Sequence, residues 1–232
     1  MNDNHLPTTA ILPAAGSSSR MGGEQSKQFI LLHNIPVLVR TMRAFDRAEE
    51  IDDVIVVTRM QDIPIIWDMI REFEIQKVRL VVPGGKTRQE SVLLGLREIS
   101  SHHGLVLIHD GARPFVRPEQ IDAIARALYT KEAVTLGVPV KDTIKRAEKG
   151  RITETIPRES LYQIQTPQGF RLDTILAAHQ NAEFDATDDC ALAEAMGVPV
   201  YVLYGSDTNI KITTPEDLLL AEGILYAARS CQ

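Results

Sequence analysis

Residues 10–23 decide the fold, and they read AILPAAGSSSRMGG. The apolar run from Ala10 to Leu12 predicts a first, buried strand. The small residues from Pro13 to Gly23 let backbone N–H groups approach an anion closely, and successive N–H groups can form a concave anion site. The segment contains neither GxGxxG nor GxxxxGKS/T, which argues against a Rossmann dehydrogenase and a P-loop NTPase. By itself it fits an anion site and an ordinary surface loop equally well.

Apolar runs alternate with longer amphipathic stretches after this segment. Further buried strands are predicted at 53–58, 77–82 and 105–109, because these β-branched runs show no alternation. Helical spacing of apolar residues predicts the intervening helices, which are 36–47, 62–73 and 87–100, with another beginning after Arg117-Pro118. The expected class is therefore α/β, with a Rossmann-like, mostly parallel sheet covered by helices.

The pattern changes between residues 139 and 166. Apolar residues alternate on both sides of Lys149-Gly150, which predicts a hairpin with a polar, charged surface that projects from the main sheet as a β-arm. Beyond it the sequence predicts helices at 171–181 and 188–196, a strand at 199–204 and a last helix from Thr214-Pro215. No repeat or linker divides the chain, so we expect a single domain over 1–232 with the arm at 139–166.

Bulk composition excludes some classes of function. The 232 residues carry a net charge of -6, which argues against nucleic acid as the main partner because duplex binding needs an extended basic surface. Cys190 and Cys231 form no CxxC pair, as is typical of a reducing compartment. The apolar runs are too short to span a bilayer, and residues 1–8 lack a signal-peptide pattern. We therefore expect a cytoplasmic protein without a membrane partner.

A candidate metal site follows the fourth predicted strand, in the segment His109-Asp110-Gly111-Ala112-Arg113-Pro114. In open α/β sheets, ligands bind beyond the carboxyl ends of the strands. Asp110 is therefore well placed to hold Mg²⁺, which favours one or two carboxylates together with substrate phosphates. The alternative is an aspartate that caps an Asp-Gly turn.

Two further segments are candidate anion sites. Residues 84–91 read GGKTRQES, and their Gly pair allows close ligand approach at the start of a predicted helix, whose N-terminus attracts negative charge. Residues 208–211 read TNIK, and Lys211 could reach a phosphate there. A turn that leads into a helix and a solvated lysine are the structural alternatives.

Taken together, the motifs carry a specific resemblance. The chain resembles the 2-C-methyl-D-erythritol 4-phosphate cytidylyltransferases from Thr9 to Ala228 in the order and spacing of PAAGSSSRM, KQF, GGKTRQESV, HDGARPF, PVKDTIKR, TPQGF, TDDC and NIKITTPEDL. The combination of HDGARP, VKDT and TPQ is the specific part, since many nucleotidyltransferases share PAAG. The resemblance implies a fold like that of the nucleotide-diphospho-sugar transferases.

The resemblance implies transfer of CMP from CTP to 2-C-methyl-D-erythritol 4-phosphate with release of pyrophosphate, with Mg²⁺ as cofactor. It also implies a homodimer held by the β-arm. A phosphate monoester is already an anionic nucleophile, so the reaction needs no general base. Positioning two polyanions and stabilising the charge that develops at the α-phosphate are the main requirements.

The resemblance also implies the role of individual residues. Arg20 and Lys27 would hold the triphosphate and stabilise the transition state, while Lys211 would position the alcohol phosphate. Asp110 would bind Mg²⁺ with the phosphates. The nucleotide would contact the segment from Pro13 to Gly16, with cytosine contacted by the residues Ala14, Ala15, Gly85 and Ser91. The alcohol phosphate would lie near Arg113, Thr166 and Thr187, and the arm residues Thr143 and Arg158 would reach into the partner's site.

Two departures and three alternatives accompany this interpretation. Lys86 stands where several relatives have Asp, and Thr208 stands where some members have Asp, so the resemblance assigns no side-chain role at either position. A ribitol 5-phosphate cytidylyltransferase shares most of these motifs, although PRESLYQIQTPQGF is closer to the methylerythritol form. A non-catalytic nucleotide-binding protein would have lost the cationic set. A glycosyltransferase would carry a DxD motif, which the sequence lacks.

Overall fold

The computed structural model describes residues 5–16, 27–100 and 104–230, and all structural statements below concern these residues. Their strands are β1 (Thr8–Pro13), β2 (Leu31–Leu32), β3 (Ile35–Pro36), β4 (Asp53–Thr58), β5 (Val78–Pro83), β6 (Leu105–Ile108), β7 (Ala133–Pro139), β8 (Ile144–Glu148), β9 (Arg151–Ile156), β10 (Tyr162–Arg171) and β11 (Val200–Tyr204). The helices are α1 (Val37–Arg47), α2 (Ile63–Glu72), α3 (Arg88–Arg97), α4 (Pro118–Ala127), α5 (Leu172–Gln180), α6 (Asp189–Ala195) and α7 (Pro215–Ser230).

Seven strands form the main sheet in the order β11-β7-β10-β6-β1-β4-β5. Only β10 runs antiparallel to its neighbours among these described strands, so the sheet is mostly parallel, as the sequence predicts. Alternate residues of β1 face opposite layers, because Ala10 and Leu12 pack with α1, α2 and α4 while Ile11 packs with α3, α5 and α6. Helices on both faces of the sheet confirm the predicted class.

Helix α3 lies unusually close to the sheet. At Gly95 a Cβ atom would lie 2.9 Å from methyl carbons of both Ile11 and Val57, so only glycine allows this separation. The helix begins at a cap in which the Thr87 hydroxyl accepts the Glu90 N–H at 3.0 Å. Together the cap and the close packing fix the start of α3 beside the end of β1.

Strand β10 corrects the predicted boundary of the arm. Residues 162–166 were expected in the arm, but they pair with β7 in the main sheet, and the projecting hairpin consists of β8 and β9 alone. The sequence pattern misses both β7 and β10. Strand β10 is polar where a central strand is normally apolar, since Gln165, Thr166 and Gln168 are buried there. Their polar groups are bonded to other segments of the chain, which offsets the cost of burying them.

Candidate functional site

Parallel strands bring their carboxyl ends to one edge of the sheet, and a cleft of about 410 Å³ opens there. Three of its walls come from the residues after β1, the start of α3 and the residues after β6. The described residues that line it are Pro13, Ala14, Ala15, Gly16, Gln28, Gly85, Lys86, Thr87, Arg88, Ser91, Asp110, Gly111, Ala112 and Lys211. Most of the nucleotide-site residues expected from the sequence therefore share one cleft.

Backbone bonds already restrict what this cleft can offer a ligand. The Ala14 N–H donates to the Val57 carbonyl at 2.7 Å, so Ala14 has only its carbonyl free for a base. The Ser91 hydroxyl donates to the Thr87 carbonyl at 2.8 Å and accepts the Gly85 N–H at 3.1 Å. Ser91 can therefore only accept a further hydrogen bond.

Asp110 faces three cations. Its carboxylate oxygens lie 2.9 Å from Lys211 Nζ, 3.1 Å from Arg88 Nε and 3.5 Å from Arg113 Nε. Burial alone would raise the pKa of Asp110, but the charges on Arg88, Lys211 and Arg113 hold that pKa well below its ordinary value. The carboxylate therefore stays ionised at neutral pH, with three cationic side chains within 3.5 Å.

Lys211 is held beside Asp110 by its neighbours in the chain. The Ile212 N–H donates to the Ala112 carbonyl at 2.9 Å, and an Arg113 guanidinium N–H donates to the Asn209 carbonyl at 2.8 Å. These two bonds join the segment before α7 to the segment after β6. Lys211 therefore lines both cavities and pairs with Asp110, although 37% of its side chain is exposed.

A second cavity of about 200 Å³ shares Arg88, Asp110 and Lys211 with the larger cleft. Its other described lining residues are Arg113, Ile164, Gln165, Thr166, Gln168, Thr187 and Asp188. The three residues expected near the alcohol phosphate are all in this list. The site is therefore bipartite, with Arg88, Asp110 and Lys211 on the common wall.

The Thr166 hydroxyl is already used by protein groups. His109 Nε2 lies 3.1 Å from the Arg113 carbonyl, which can only accept, so Nε2 carries a hydrogen. Burial lowers the pKa of His109 to about 4, so the ring is neutral and Nδ1, 3.0 Å from Thr166 Oγ1, accepts. The same Oγ1 accepts the Asp110 N–H at 3.1 Å. Thr166 therefore has no hydroxyl hydrogen to donate to a phosphate.

Other expected residues lie away from both cavities or outside the described residues. Thr143 and Arg158 line neither cavity, and the Arg158 guanidinium donates to the Lys141 carbonyl. Arg20 lies outside the described residues, as does the side chain of Lys27, whose backbone begins the 3₁₀ helix Lys27–Phe29.

The structure also places the two positions that depart from the pattern. Lys86 lines the larger cleft, and its N–H donates to the Glu90 carboxylate at 2.6 Å. Thr208 lines neither cavity, and its hydroxyl bonds to that of Ser206 at 2.8 Å.

Sequence reasoning misses Arg88, which lies on the common wall of both cavities. An arginine at the start of a helix is ordinarily interpreted as a solvated side chain. The available signal is the TDDC segment at 187–190, where Asp188 lines the smaller cavity and Asp189 pairs with Arg88. This signal is weak, because an aspartate at the N-cap and another in the first turn are also the ordinary start of a helix.

The donor set suits a magnesium ion that is bound mainly by its substrate. Asp110 is the one carboxylate among the described residues that line the larger cleft. In the described parts of the chain, no three His, Cys, Asp or Glu side chains are grouped closely enough to hold a metal by themselves. Mg²⁺ commonly takes one or two carboxylates and fills its other positions with phosphate oxygens and water, so a single aspartate that lines this cleft fits it.

In the described residues, no helix is both long enough and apolar enough to cross a membrane.

Residues 8–227 match the family model of 2-C-methyl-D-erythritol 4-phosphate cytidylyltransferase. The enzymes of that name from Halalkalibacterium halodurans and Geotalea uraniireducens are each 45% identical to the chain. The alignments cover 94% of this chain and 96% of the first relative, and 97% and 99% for the second.

Solved structures agree with the sequence relatives. The 4-diphosphocytidyl-2C-methyl-D-erythritol synthase of Anaerococcus prevotii superposes with a TM-score of 0.85 at 35% identity, covering 96% of this chain and 97% of that one. The 2-C-methyl-D-erythritol 4-phosphate cytidylyltransferase of Thermus thermophilus gives 0.76 at 31% identity, covering 94% and 98%. The bipartite site and these matches lead to one conclusion: the chain belongs to the 2-C-methyl-D-erythritol 4-phosphate cytidylyltransferase family.

Proposed function

We propose that the protein transfers CMP from CTP to 2-C-methyl-D-erythritol 4-phosphate and releases pyrophosphate, as a step of non-mevalonate isoprenoid biosynthesis. The observation that carries the proposal is the common wall of the two cavities. There Asp110 lies within 3.5 Å of three cationic side chains, Arg88, Arg113 and Lys211. A wall of this charge, in a chain of this family, suits a reaction between two phosphate-bearing substrates.

CTP would occupy the larger cleft, against the segment from Pro13 to Gly16 and the start of α3. Its base would meet backbone groups of Ala14, Ala15 and Gly85, with Ser91 as an acceptor. Arg20 and Lys27 would bind the triphosphate, an assignment that rests on the family resemblance alone. When bound, Mg²⁺ would neutralise phosphate charge beside Asp110.

The alcohol phosphate would occupy the smaller cavity, between Arg113 and Lys211. One of its oxygens would attack the α-phosphorus of CTP, forming a new P–O bond while the bond to the β-phosphate bridging oxygen breaks and pyrophosphate leaves. No side chain has to remove a proton, because the attacking phosphate is already anionic. In agreement, His109 is the one histidine beside the described site, and both of its ring nitrogens are bonded to protein groups.

The arm is proposed to join two protomers. Nearly every residue of β8 and β9 is exposed, and the exposed fraction of the apolar Ile152 is 61%. The hairpin therefore has little contact with the rest of its own chain. Thr143 and Arg158 flank this hairpin and line neither cavity of their own chain. A homodimer in which each arm supplies these two residues to the partner's site accounts for both observations.

Pyrophosphate release tests the proposal when the enzyme is offered CTP with each of two polyol phosphates. Turnover with 2-C-methyl-D-erythritol 4-phosphate and none with ribitol 5-phosphate is the expected result. Turnover with ribitol 5-phosphate alone would replace the substrate assignment. No turnover with either would favour a non-catalytic nucleotide-binding protein.

A further inference from the structure

Arg88 connects the site to a buried acidic residue behind it. It is the first residue of α3, and its Nε donates to Asp110 Oδ1 at 3.1 Å. On its other side, Nη1 lies 2.8 Å from Oδ2 of Asp189, whose side chain is 1% exposed, against 30% for Arg88. One guanidinium therefore bridges a carboxylate in the site and a carboxylate in the protein interior.

Asp189 is itself held rigidly. Its Oδ1 accepts His179 Nε2–H at 3.0 Å, and its backbone N–H donates to the Gln168 side-chain oxygen at 3.0 Å. His179 is fully buried with it, on α5, while Asp189 begins α6. Asp189 thus forms a fixed anchor that two helices and strand β10 support.

An anchor of this kind costs stability and needs a reason. A buried carboxylate is expensive even when paired, and apolar side chains of similar volume often replace such pairs without loss. Burial would raise the pKa of Asp189, but the Arg88 charge and the His179 bond lower that pKa, so Asp189 keeps its charge. The charged carboxylate of Asp189 pairs with Arg88, and the same guanidinium pairs with Asp110, so Asp189 influences the position of Asp110 through Arg88.

We propose that Arg88 is a positioning residue, which the Asp189–His179 pair locks so that Asp110 keeps one orientation on the wall between the two substrate sites. Oδ1 of Asp110 accepts a hydrogen bond from Arg88 Nε, and Oδ2 of Asp110 lies 2.9 Å from Lys211 Nζ. Within the described ranges, no carboxylate other than that of Asp110 lies within ion-pair distance of Lys211, so Lys211 can move to a phosphate while Arg88 stays. This inference rests on the proposed function, because it concerns how that site is held.

The test compares Arg88→Lys and Asp189→Asn with a matched control, Arg59→Lys. Arg59 also pairs with a buried aspartate, Asp62, at 2.6 Å, with exposed fractions of 35% and 5%, and it lines neither cavity. Steady-state kinetics with CTP and the alcohol phosphate are measured for each protein. Circular dichroism and CTP binding by calorimetry show that each variant is folded.

We expect Arg88→Lys to lower kcat by about 100-fold, since misplacing a positioned group by about 1 Å costs this much, while KM for CTP changes by less than about threefold. Asp189→Asn should act in the same direction, and the double variant should be no worse than Arg88→Lys alone, because both act through one guanidinium. Arg59→Lys should match the wild type.

Three results would overturn the inference. They are an Arg88→Lys enzyme with wild-type kcat, a change confined to KM, and losses that add in the double variant. If Asp189→Asn does not fold, His179→Gln takes its place in the cycle, since it weakens the same anchor. A wild-type protein without turnover would instead refute the proposed function, so the two failures are distinguishable.

Discussion

Acid should destabilise the protein through the buried ring of His109. The His109 ring packs against Phe45, with 5.1 Å between the two ring centroids. Burial lowers the pKa of His109 to about 4. The ordinary value, which the unfolded chain retains, is about 6.5. Because the folded-state pKa is the lower one, the unfolded chain takes up the proton first. The stabilisation is therefore complete above pH 6.5 and is lost as the pH falls towards 4.

The size of the effect follows from the two pKa values. A difference of about 2.5 pH units, at about 1.4 kcal/mol per unit, gives about 3.5 kcal/mol in full, of which about 2.5 kcal/mol is lost by pH 4.5. Asp110 and Asp189 add little above pH 4.5, because their folded-state pKa values are lowered and their contribution falls only below the unfolded value. For a marginally stable domain this loss is a large fraction of the total.

Urea denaturation at pH 7.5 and pH 4.5, without metal or nucleotide, measures the loss. The free energy of unfolding of the wild type should fall by about 2.5 kcal/mol more than that of His109→Asn, which has no group to titrate there. The absolute stability of the variant is lower, so the comparison is between the two pH differences. Equal pH differences in wild type and variant would refute the account of a buried, neutral His109.

Three further predictions concern packing, charge and assembly. Gly95→Ala should lower the free energy of unfolding by about 2 kcal/mol, because the new Cβ would overlap two core methyl groups. This overpacking outweighs the gain in helix propensity, and unchanged urea denaturation would contradict the prediction. Lys27→Ala should lower kcat by about 100-fold or more in a pyrophosphate assay, and an unchanged rate would remove the proposed transition-state role. Mixing inactive Lys211→Ala with inactive Arg158→Ala should restore about one quarter of wild-type activity, since half of the dimers are mixed and one of their two sites is intact; no recovery would exclude an arm that acts in trans.

Most of the parallel strands, although not β7, could be predicted because their chemistry is local. Strand β4 carries six residues, DVIVVT, whose β-branched apolar side chains are buried on both faces, so its bounds agree with the prediction. Strand β10 could not be recognised in this way. Its central residues Gln165, Thr166 and Gln168 are buried because distant segments provide their partners, and local sequence does not reveal those partners.

The site follows the same division. Asp110 could be predicted, because a carboxylate that follows a buried strand lies at the ligand edge of the sheet. The position of Arg88 in the site could not be predicted, because it depends on an ion pair with Asp189. Asp189 is distant in sequence, and its side chain is buried beside Arg88. Likewise, the resemblance places Thr166 near the alcohol phosphate, but it does not reveal that the neighbouring His109 accepts the hydroxyl hydrogen of Thr166.

The most direct test of the central claim is ³¹P NMR of the wild-type protein with CTP, Mg²⁺ and 2-C-methyl-D-erythritol 4-phosphate. If the protein transfers CMP, the monoester signal is replaced by the paired signals of a diphosphate diester while pyrophosphate appears in equal amount. A persistent monoester signal, or CTP consumed without a new diester, would contradict it.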